Sequence, residues 1–410
     1  MKLRNYVLVT AGYWVFTLTD GALRMLVLLH FNELGYSPVA IAFLFLAYEF
    51  MGIVTNLLGG WVGARTGLNR TLVAGLGLQI VALAALTLEQ PSWQRWASVA
   101  FVMTMQALSG IAKDLTKMSS KSAVKTVASD GSLFRLVAIL TGSKNALKGV
   151  GFFLGAALLS SIGYHGALWL MVGALAVAVV MLLVFLNEEI GRSKKKPPLR
   201  SVLSKSSAIN RLSAARFFLF GARDIWFVVA LPVFLADQLG WSHQGVGGFL
   251  AAWVIGYGIV QSFAPRILAR GGRAIDEVKA AQRLALILAV VSATIAVFVA
   301  VDLVKTAAIV GGLIVFGIVF AMNSSLHSYL VLAFSDDDEV ALDVGFYYSA
   351  NAAGRLIGTL LSGLLYLWGG LPVALWGSTA FVVLTWLLAL RLPPVPKNVS
   401  VSLATVDASD

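Results

Sequence analysis

Leu34-Gly35-Tyr36-Ser37 returns 205 residues later as Leu239-Gly240-Trp241-Ser242. The same gap-free offset carries Ala47-Tyr48 onto Ala252-Trp253, Arg65-Thr66-Gly67 onto Arg270-Gly271-Gly272 and Gly149 onto Gly354. Many other positions do not match; Gly52 falls on Tyr257. Because 205 is half of the 410 residues, a duplicated half is expected. Around these tetrapeptides, apolar stretches recur about every 30 residues. They predict twelve spans, near 6–32, 38–62, 71–88, 96–116, 136–160, 166–187, 211–236, 244–267, 283–301, 306–332, 343–367 and 371–391. Residues 1–187 form the first six-helix bundle and 211–391 the second. Residues 188–210, with Arg192-Ser193-Lys194-Lys195-Lys196-Pro197-Pro198, read as a cytoplasmic linker, and 392–410 as a disordered cytoplasmic tail.

Composition agrees. Hydrophobic residues make up 59% of the chain and charged residues 12%, and mean hydropathy is +0.84. A soluble enzyme would expose a mostly apolar surface, and coiled coil, disorder and nucleic-acid binding fail on the same ground. There is no cysteine, and the four histidines are scattered, so neither a disulfide framework nor a metal site is expected, and no cofactor. The basic start, Met1-Lys2-Leu3-Arg4, precedes an apolar run too long for a signal peptide, so it reads as the first span.

Parallel six-span repeats are the internal symmetry of major facilitator transporters, whose site lies between the halves. A second feature resembles that superfamily. Gly60-Trp61-Val62-Gly63-Ala64-Arg65-Thr66-Gly67-Leu68-Asn69-Arg70 is similar to its loop motif between spans two and three. Gly60, Arg65, Gly67 and Arg70 fit. Ala64 stands where an acid is usual, which removes the charge relay proposed for that motif. The resemblance implies an all-α membrane protein of major facilitator fold, with twelve transmembrane helices in two pseudo-symmetric bundles.

The net charge of +11 divides into two parts. With both termini inside, cytoplasmic loops and span ends take 22 of the 31 Lys and Arg, and outside loops take only Arg95 and Lys305. Seven cations remain inside predicted spans: Arg24, Lys113, Lys144, Lys148, Arg216, Arg223 and Arg355. Four acids accompany them: Asp20, Glu49, Asp114 and Asp224. A charge at the bilayer centre costs at least ~2.5 kcal/mol, so the surplus must be offset by pairing, water or a ligand. All eleven lie on spans 1, 2, 4, 5, 7 and 11. Spans 3, 6, 9 and 12, peripheral in the major facilitator fold, carry none.

Spacing suggests local arrangements. Asp20 and Arg24 share a face at i,i+4. Lys144 and Lys148 share one too, and repel unless an anion sits between them. Lys113, Lys117, Lys121 and Lys125 form a ladder that could guide an anion in from the cytoplasm; beyond Lys117 a solvated, positive-inside helix end is an equal reading. Arg216 is expected to snorkel from a helix end. Arg223 and Asp224 project about 100° apart, one to a cavity and one to a neighbouring helix. The candidate substrate-binding set is Arg24, Lys113, Lys117, Lys144, Lys148, Arg223, Arg355, Asn145 and Asn351, with Asn56, Gln261 and Asn323 as further hydrogen-bonding residues. Asp20, Glu49, Asp114 and Asp224 serve as counter-ions or proton-coupling groups. Arginine forks and lysines suit phosphate, arsenate or carboxylate oxygens, so the expected substrate is a small anion.

Several blocks also resemble the ArsJ organoarsenical efflux permease family. They are Phe16–Arg24, Ser109–Leu115, Thr141–Gly149, Phe220–Trp226 and Trp253–Gln261. The resemblance runs from span 1 through span 11. It implies export of 1-arseno-3-phosphoglycerate, made by a companion glyceraldehyde-3-phosphate dehydrogenase, from a bacterium across its inner membrane, conferring arsenate resistance. A monomer in the lipid bilayer is expected. The alternative is an organic-phosphate/phosphate exchanger of the same fold. A membrane enzyme would need a nucleophile–base pair or metal cluster, and the spans present neither.

Overall fold

The structure, a computed structural model, describes residues 2–35, 38–90, 92–127, 133–186, 202–203, 205–241, 243–268, 276–301, 305–336 and 339–395. Among these there is no strand. The helices are α1 (Lys2–Glu33), α2 (Pro38–Thr66), α3 (Leu68–Leu86), α4 (Arg95–Val127), α5 (Leu133–Phe185), α6 (Ser207–Phe227), α7 (Ala230–Asp237), α8 (His243–Leu268), α9 (Glu277–Ala300), α10 (Lys305–Phe334) and α11 (Val340–Ala389). Most of the predicted linker and the tail from 396 lie outside the described residues.

Eight stretches among the described residues are long and apolar enough to cross a membrane. Two of them, in α5 and α11, are too long for one crossing. At 1.5 Å per residue, 53 residues would reach ~80 Å against ~30 Å of hydrocarbon. Each turns back at glycine: Gly163 has φ +71° in α5, and Gly370 has φ +68° in α11. These turns fall in the predicted loops between spans 5 and 6 and spans 11 and 12. α2 and α4, at predicted spans 2 and 4, lie outside these eight; the eight alone make the chain a multi-pass membrane protein.

Three local features differ from expectation. The predicted loop over 60–70 is almost wholly helical: α2 runs to Thr66, α3 starts at Leu68, and Gly67 at φ +92° makes the joint. Predicted span 7 is interrupted after Phe227. The backbone N–H groups of Val229 and Ala230 at this break both donate to Ser362 Oγ of α11, at 3.2 and 3.1 Å. Hydrocarbon offers no other acceptor, so a distant serine makes the interruption tolerable. Finally, α4 stays helical to Val127 and Lys121 is buried, which counts against the solvated reading of the ladder at that residue.

The chain forms two compact units, Met1–Ala128 with Ser143–Ser204 and Asp336–Ser349, and Ser129–Gly142 with Lys205–Ser335 and Ala350–Asp410. The first ten residues of α11 belong to the first unit: Lys121 Nζ donates to Tyr348 OH at 2.6 Å and Ser349 Oγ to the Ile53 carbonyl at 2.9 Å. The first turns of α5 belong to the second unit, where the Phe134 and Tyr329 rings lie 5.0 Å apart.

Each unit contains the same kind of close helix crossing. In the first, Gly21 of α1 lies against Gly151 of α5; a Cβ on Gly21 would sit 2.7 Å from the Lys148 carbonyl and 3.2 Å from Gly151 Cα. In the second, a Cβ on Gly354 of α11 would sit 2.8 Å from Phe217 Cα of α6, and one on Gly358 would sit 3.0 Å from Gly221 Cα. Small residues four apart let membrane helices approach to backbone contact. The glycines of the two repeated tetrapeptides share a backbone conformation. Gly35 after α1 and Gly240 after α7 have φ +76° and +67°, the left-handed turn that ends a helix at low cost only for glycine.

At the polar end of α9, Asp276 caps the helix by accepting from the Lys279 backbone N–H at 2.9 Å. Burial alone would raise its carboxyl. That bond and the Lys279 ammonium at 3.1 Å outweigh it and hold the carboxyl below the ordinary carboxylate range. Asp276→Ala is expected to cost ~0.5–1 kcal/mol at neutral pH. A depressed folded value makes the contribution present above the unfolded pKa near 4 and lost as pH falls through the folded value. Melting curves of the two proteins should therefore converge in acid; a gap that is constant with pH would contradict the cap.

Candidate functional site: two cation clusters

In the first unit, charges from four helices meet around the ring of Tyr48 on α2. Its hydroxyl donates to Asp20 of α1, while Arg24 Cζ lies 4.4 Å and Lys113 Nζ 3.8 Å from its ring centroid. Arg24 pairs with Glu49 of α2, and Lys148 Nζ of α5 lies 3.4 Å from Asp20. Thus Asp20 and Arg24 do share a face of α1, at the Tyr48 ring, and each also reaches a partner on another helix. The anion expected beside Lys148 is in part the protein's own: Asp20 fills that role. On α4, Asp114 faces Lys113 at 3.8 Å and Lys117 at 2.5 Å. Lys117 and Lys121 then lie 4.9 and 4.8 Å from the Tyr348 ring centroid. The Lys125 side chain lies outside the described residues. Lys144 and Asn145 sit half-buried on α5 one turn before Lys148, and Trp14 Nε1 donates to the adjacent Ser143 Oγ at 2.8 Å.

In the second unit, Asp224 of α6 holds two arginines. Arg223 donates to Oδ1 at 2.5 and 2.6 Å, and Arg355 Nε of α11 to Oδ2 at 3.0 Å. The side chains of Arg223 and Asp224 therefore converge, although neighbours on a helix project ~100° apart; the length of arginine closes the angle. Asp224 is 1% exposed, Arg223 15% and Arg355 35%. Both units thus place an acid of the first helix, Asp20 or Asp224, against a cation of the helix it crosses, Lys148 or Arg355.

Arg216 does not snorkel. It is 2% exposed, its guanidinium lies 3.8 Å from the Phe220 ring, and its Nε donates to Asn351 Oδ1 at 3.0 Å. Asn351 thereby joins Arg216 instead of the Arg223–Arg355 fork. Spacing alone carried a signal: Arg216, Phe220 and Arg223 fall at i, i+4 and i+7, one face of α6. Tyr48 and Tyr348 were also missed, because an aromatic ring in an apolar span has no distinctive pattern.

The Major Facilitator Superfamily profile matches residues 9–335 and again 212–407. The chain belongs to the Major Facilitator Superfamily. It is a membrane transporter and not an enzyme. Solved structures of this superfamily match nearly its whole length. The human organic anion transporter MFSD10 (TETRAN) has 16% identity and a TM-score of 0.75, with 95% of this chain and 99% of that one covered. A bacterial homologue of the iron transporter ferroportin, in an outward-facing state, has 13% identity and a TM-score of 0.78, with 95% and 99% covered. The proton:xylose symporter XylE, bound to 6-bromo-6-deoxy-D-glucose, has 12% identity and a TM-score of 0.78, with 98% of each chain covered. At these identities the likeness establishes the fold. No match emerges among curated protein sequences.

Proposed function

We propose that this superfamily member exports a small polyanion, specifically 1-arseno-3-phosphoglycerate, from the bacterial cytoplasm across the inner membrane and so confers arsenate resistance. Both termini are cytoplasmic in this reading, by the 22-to-2 distribution of loop cations. The transporter works as a monomer, with residues 1–187 and 211–391 as its two alternating bundles. The observation that carries the proposal is the Arg223–Asp224–Arg355 fork, where two guanidiniums share one carboxylate. Planar guanidiniums match the paired oxygens of a phosphate or arsenate group, and an oxyanion arriving there meets a site still cationic by one charge. The first unit adds Arg24, Lys113, Lys117, Lys144 and Lys148 to Asp20, Glu49 and Asp114. An apolar drug or neutral sugar has no use for such a surplus. The ArsJ-like blocks name the cargo: a molecule with an arsenate ester at one end and a phosphate at the other, supplied by glyceraldehyde-3-phosphate dehydrogenase. Outward movement of an anion also runs with an inside-negative potential, ~2.3 kcal/mol per charge per 100 mV.

The test uses everted vesicles bathed in glyceraldehyde-3-phosphate dehydrogenase, glyceraldehyde 3-phosphate, NAD and arsenate. Arsenic is expected to accumulate inside only with the complete mixture, and at least about tenfold less with Arg223→Ala or Lys148→Ala, about the loss of one charge-assisted hydrogen bond. Equal accumulation in wild type and both variants would remove the site. Accumulation that depends on unlabelled phosphate inside the vesicles would favour the organic-phosphate/phosphate exchanger.

A further inference from the structure

Two turns before the fork, two helices of the second unit, α6 and α8, bring three hydrogen-bond donors to a single hydroxyl oxygen of a third, α10. Ser324 Oγ of α10 has Arg216 Nη1 of α6 at 3.1 Å, Tyr257 OH of α8 at 3.0 Å and Gln261 Nε2 of α8 at 3.2 Å. Arg216 Nη1 also reaches the Ser324 carbonyl at 3.2 Å, and its Nε reaches Asn351 Oδ1 of α11. A hydroxyl has two lone pairs and one proton. It accepts from all three neighbours only by over-subscribing its oxygen, and otherwise Tyr257 must turn its proton away. An oxyanion oxygen accepts three donors without conflict. The donor set, a guanidinium with an amide and a phenol, is the chemistry of an anion pocket, and the Ser324 hydroxyl to which all three point is a neutral acceptor.

A second observation is independent of that geometry. His327, one turn beyond Ser324 on α10, is fully buried and lies within electrostatic range of Arg216. Neither of its imidazole nitrogens has a hydrogen-bond partner among the described residues, and the same holds for both amide atoms of buried Asn323. Buried polar groups are ordinarily satisfied. Here His327 is in range of Arg216 and Asn323 adjoins Ser324 in sequence, so among the described residues α10 carries more buried polar atoms than partners for them.

We infer that Arg216, Tyr257 and Gln261 form a second oxyanion site, which takes one phosphate- or arsenate-type group in place of the Ser324 hydroxyl. This rests on the reading that the cargo is a polyanion. The new site and the fork lie on one face of α6, about 10 Å apart by helical rise. The Phe220 ring lies between them, 3.8 Å from Arg216 and 5.0 Å from Arg223. An anionic group leaving one guanidinium therefore has the next within reach across a single ring.

Calorimetric titration of the purified full-length protein with inorganic phosphate tests the inference. Arg216→Gln is expected to lower the number of phosphates bound per chain by one and to keep the one that Arg223→Gln removes. Ser324→Ala deletes the competing internal acceptor while keeping the donors, and should tighten the Arg216-dependent phosphate at least about threefold; a merely structural cluster would show no such gain. If Arg216→Gln does not fold, the Ser324→Ala result stands alone. Phosphate stoichiometry unchanged in a folded Arg216→Gln, or affinity unchanged or weaker in Ser324→Ala, overturns the second site. The vesicle assay is unaffected by that outcome, so the polyanion reading then survives or fails separately.

Discussion

Asp224→Asn is expected to destabilise the second unit by about 3 kcal/mol and to abolish transport. The carboxylate is buried and is shared by Arg223 and Arg355. Removing one partner of a buried ion pair leaves an uncompensated charge and typically costs about 3–5 kcal/mol. The lower end applies here because Arg355 keeps a third of its surface exposed and water screens it. The signature that separates this loss from ordinary misfolding is rescue by anion. If the fork is an oxyanion site, inorganic phosphate should raise the melting temperature of Asp224→Asn more than that of wild type, because phosphate replaces the missing charge and binds only the folded state. Melting temperatures measured with and without phosphate decide it. A variant as stable as wild type would show that the two arginines do not depend on Asp224. A destabilised variant that phosphate does not help would argue against anion binding at the fork.

The second large effect is steric. Gly354→Ala should destabilise the protein by about 2–3 kcal/mol, the cost of overpacking at a contact that cannot yield. The added methyl would meet the backbone of Phe217, with Cα at 2.8 Å. Backbone cannot rotate out of the way as a side chain does, so α6 and α11 must separate. That shift would also lengthen the Arg355–Asp224 bond one residue along. Gly363→Ala, on the same helix with nothing within 4 Å of the new Cβ, is the control. It should be neutral or stabilising by up to ~1 kcal/mol through helix propensity. Thermal inactivation of both variants in one detergent separates them, and equal melting temperatures would refute the crossing as the source of the effect.

Much of the architecture was legible from local pattern. Apolar runs of span length act over a few residues, and the chain turns at Gly163 and Gly370 inside the loops that those runs predict. The confinement of charge to particular helices was equally readable, because a charge facing hydrocarbon is costly wherever the helix packs. The pairing of those charges was not. Arg24 and Glu49 are 25 residues apart, Lys148 and Asp20 are 128 apart, and Arg355 and Asp224 are 131 apart. The i,i+4 rule placed Asp20 and Arg24 on one face but, seeing only one helix, could not supply Glu49 or Lys148.

The same limit explains Arg216. Its position near a predicted helix end favoured snorkelling, and only the meeting of α6 with α10 and α11 shows acceptors that let it stay buried. The Ser362 hydroxyl that caps the break between α6 and α7 is a further case, 132 residues from Ala230. By itself, the sequence determined the spans, the duplication and the surplus of positive charge, since hydrophobic thickness and charge count depend on composition and local order. Tertiary structure alone decided which cation faces which acid and which donors converge on one oxygen. Those outcomes depend on distances of about 3 Å between helices that the chain brings together from far apart.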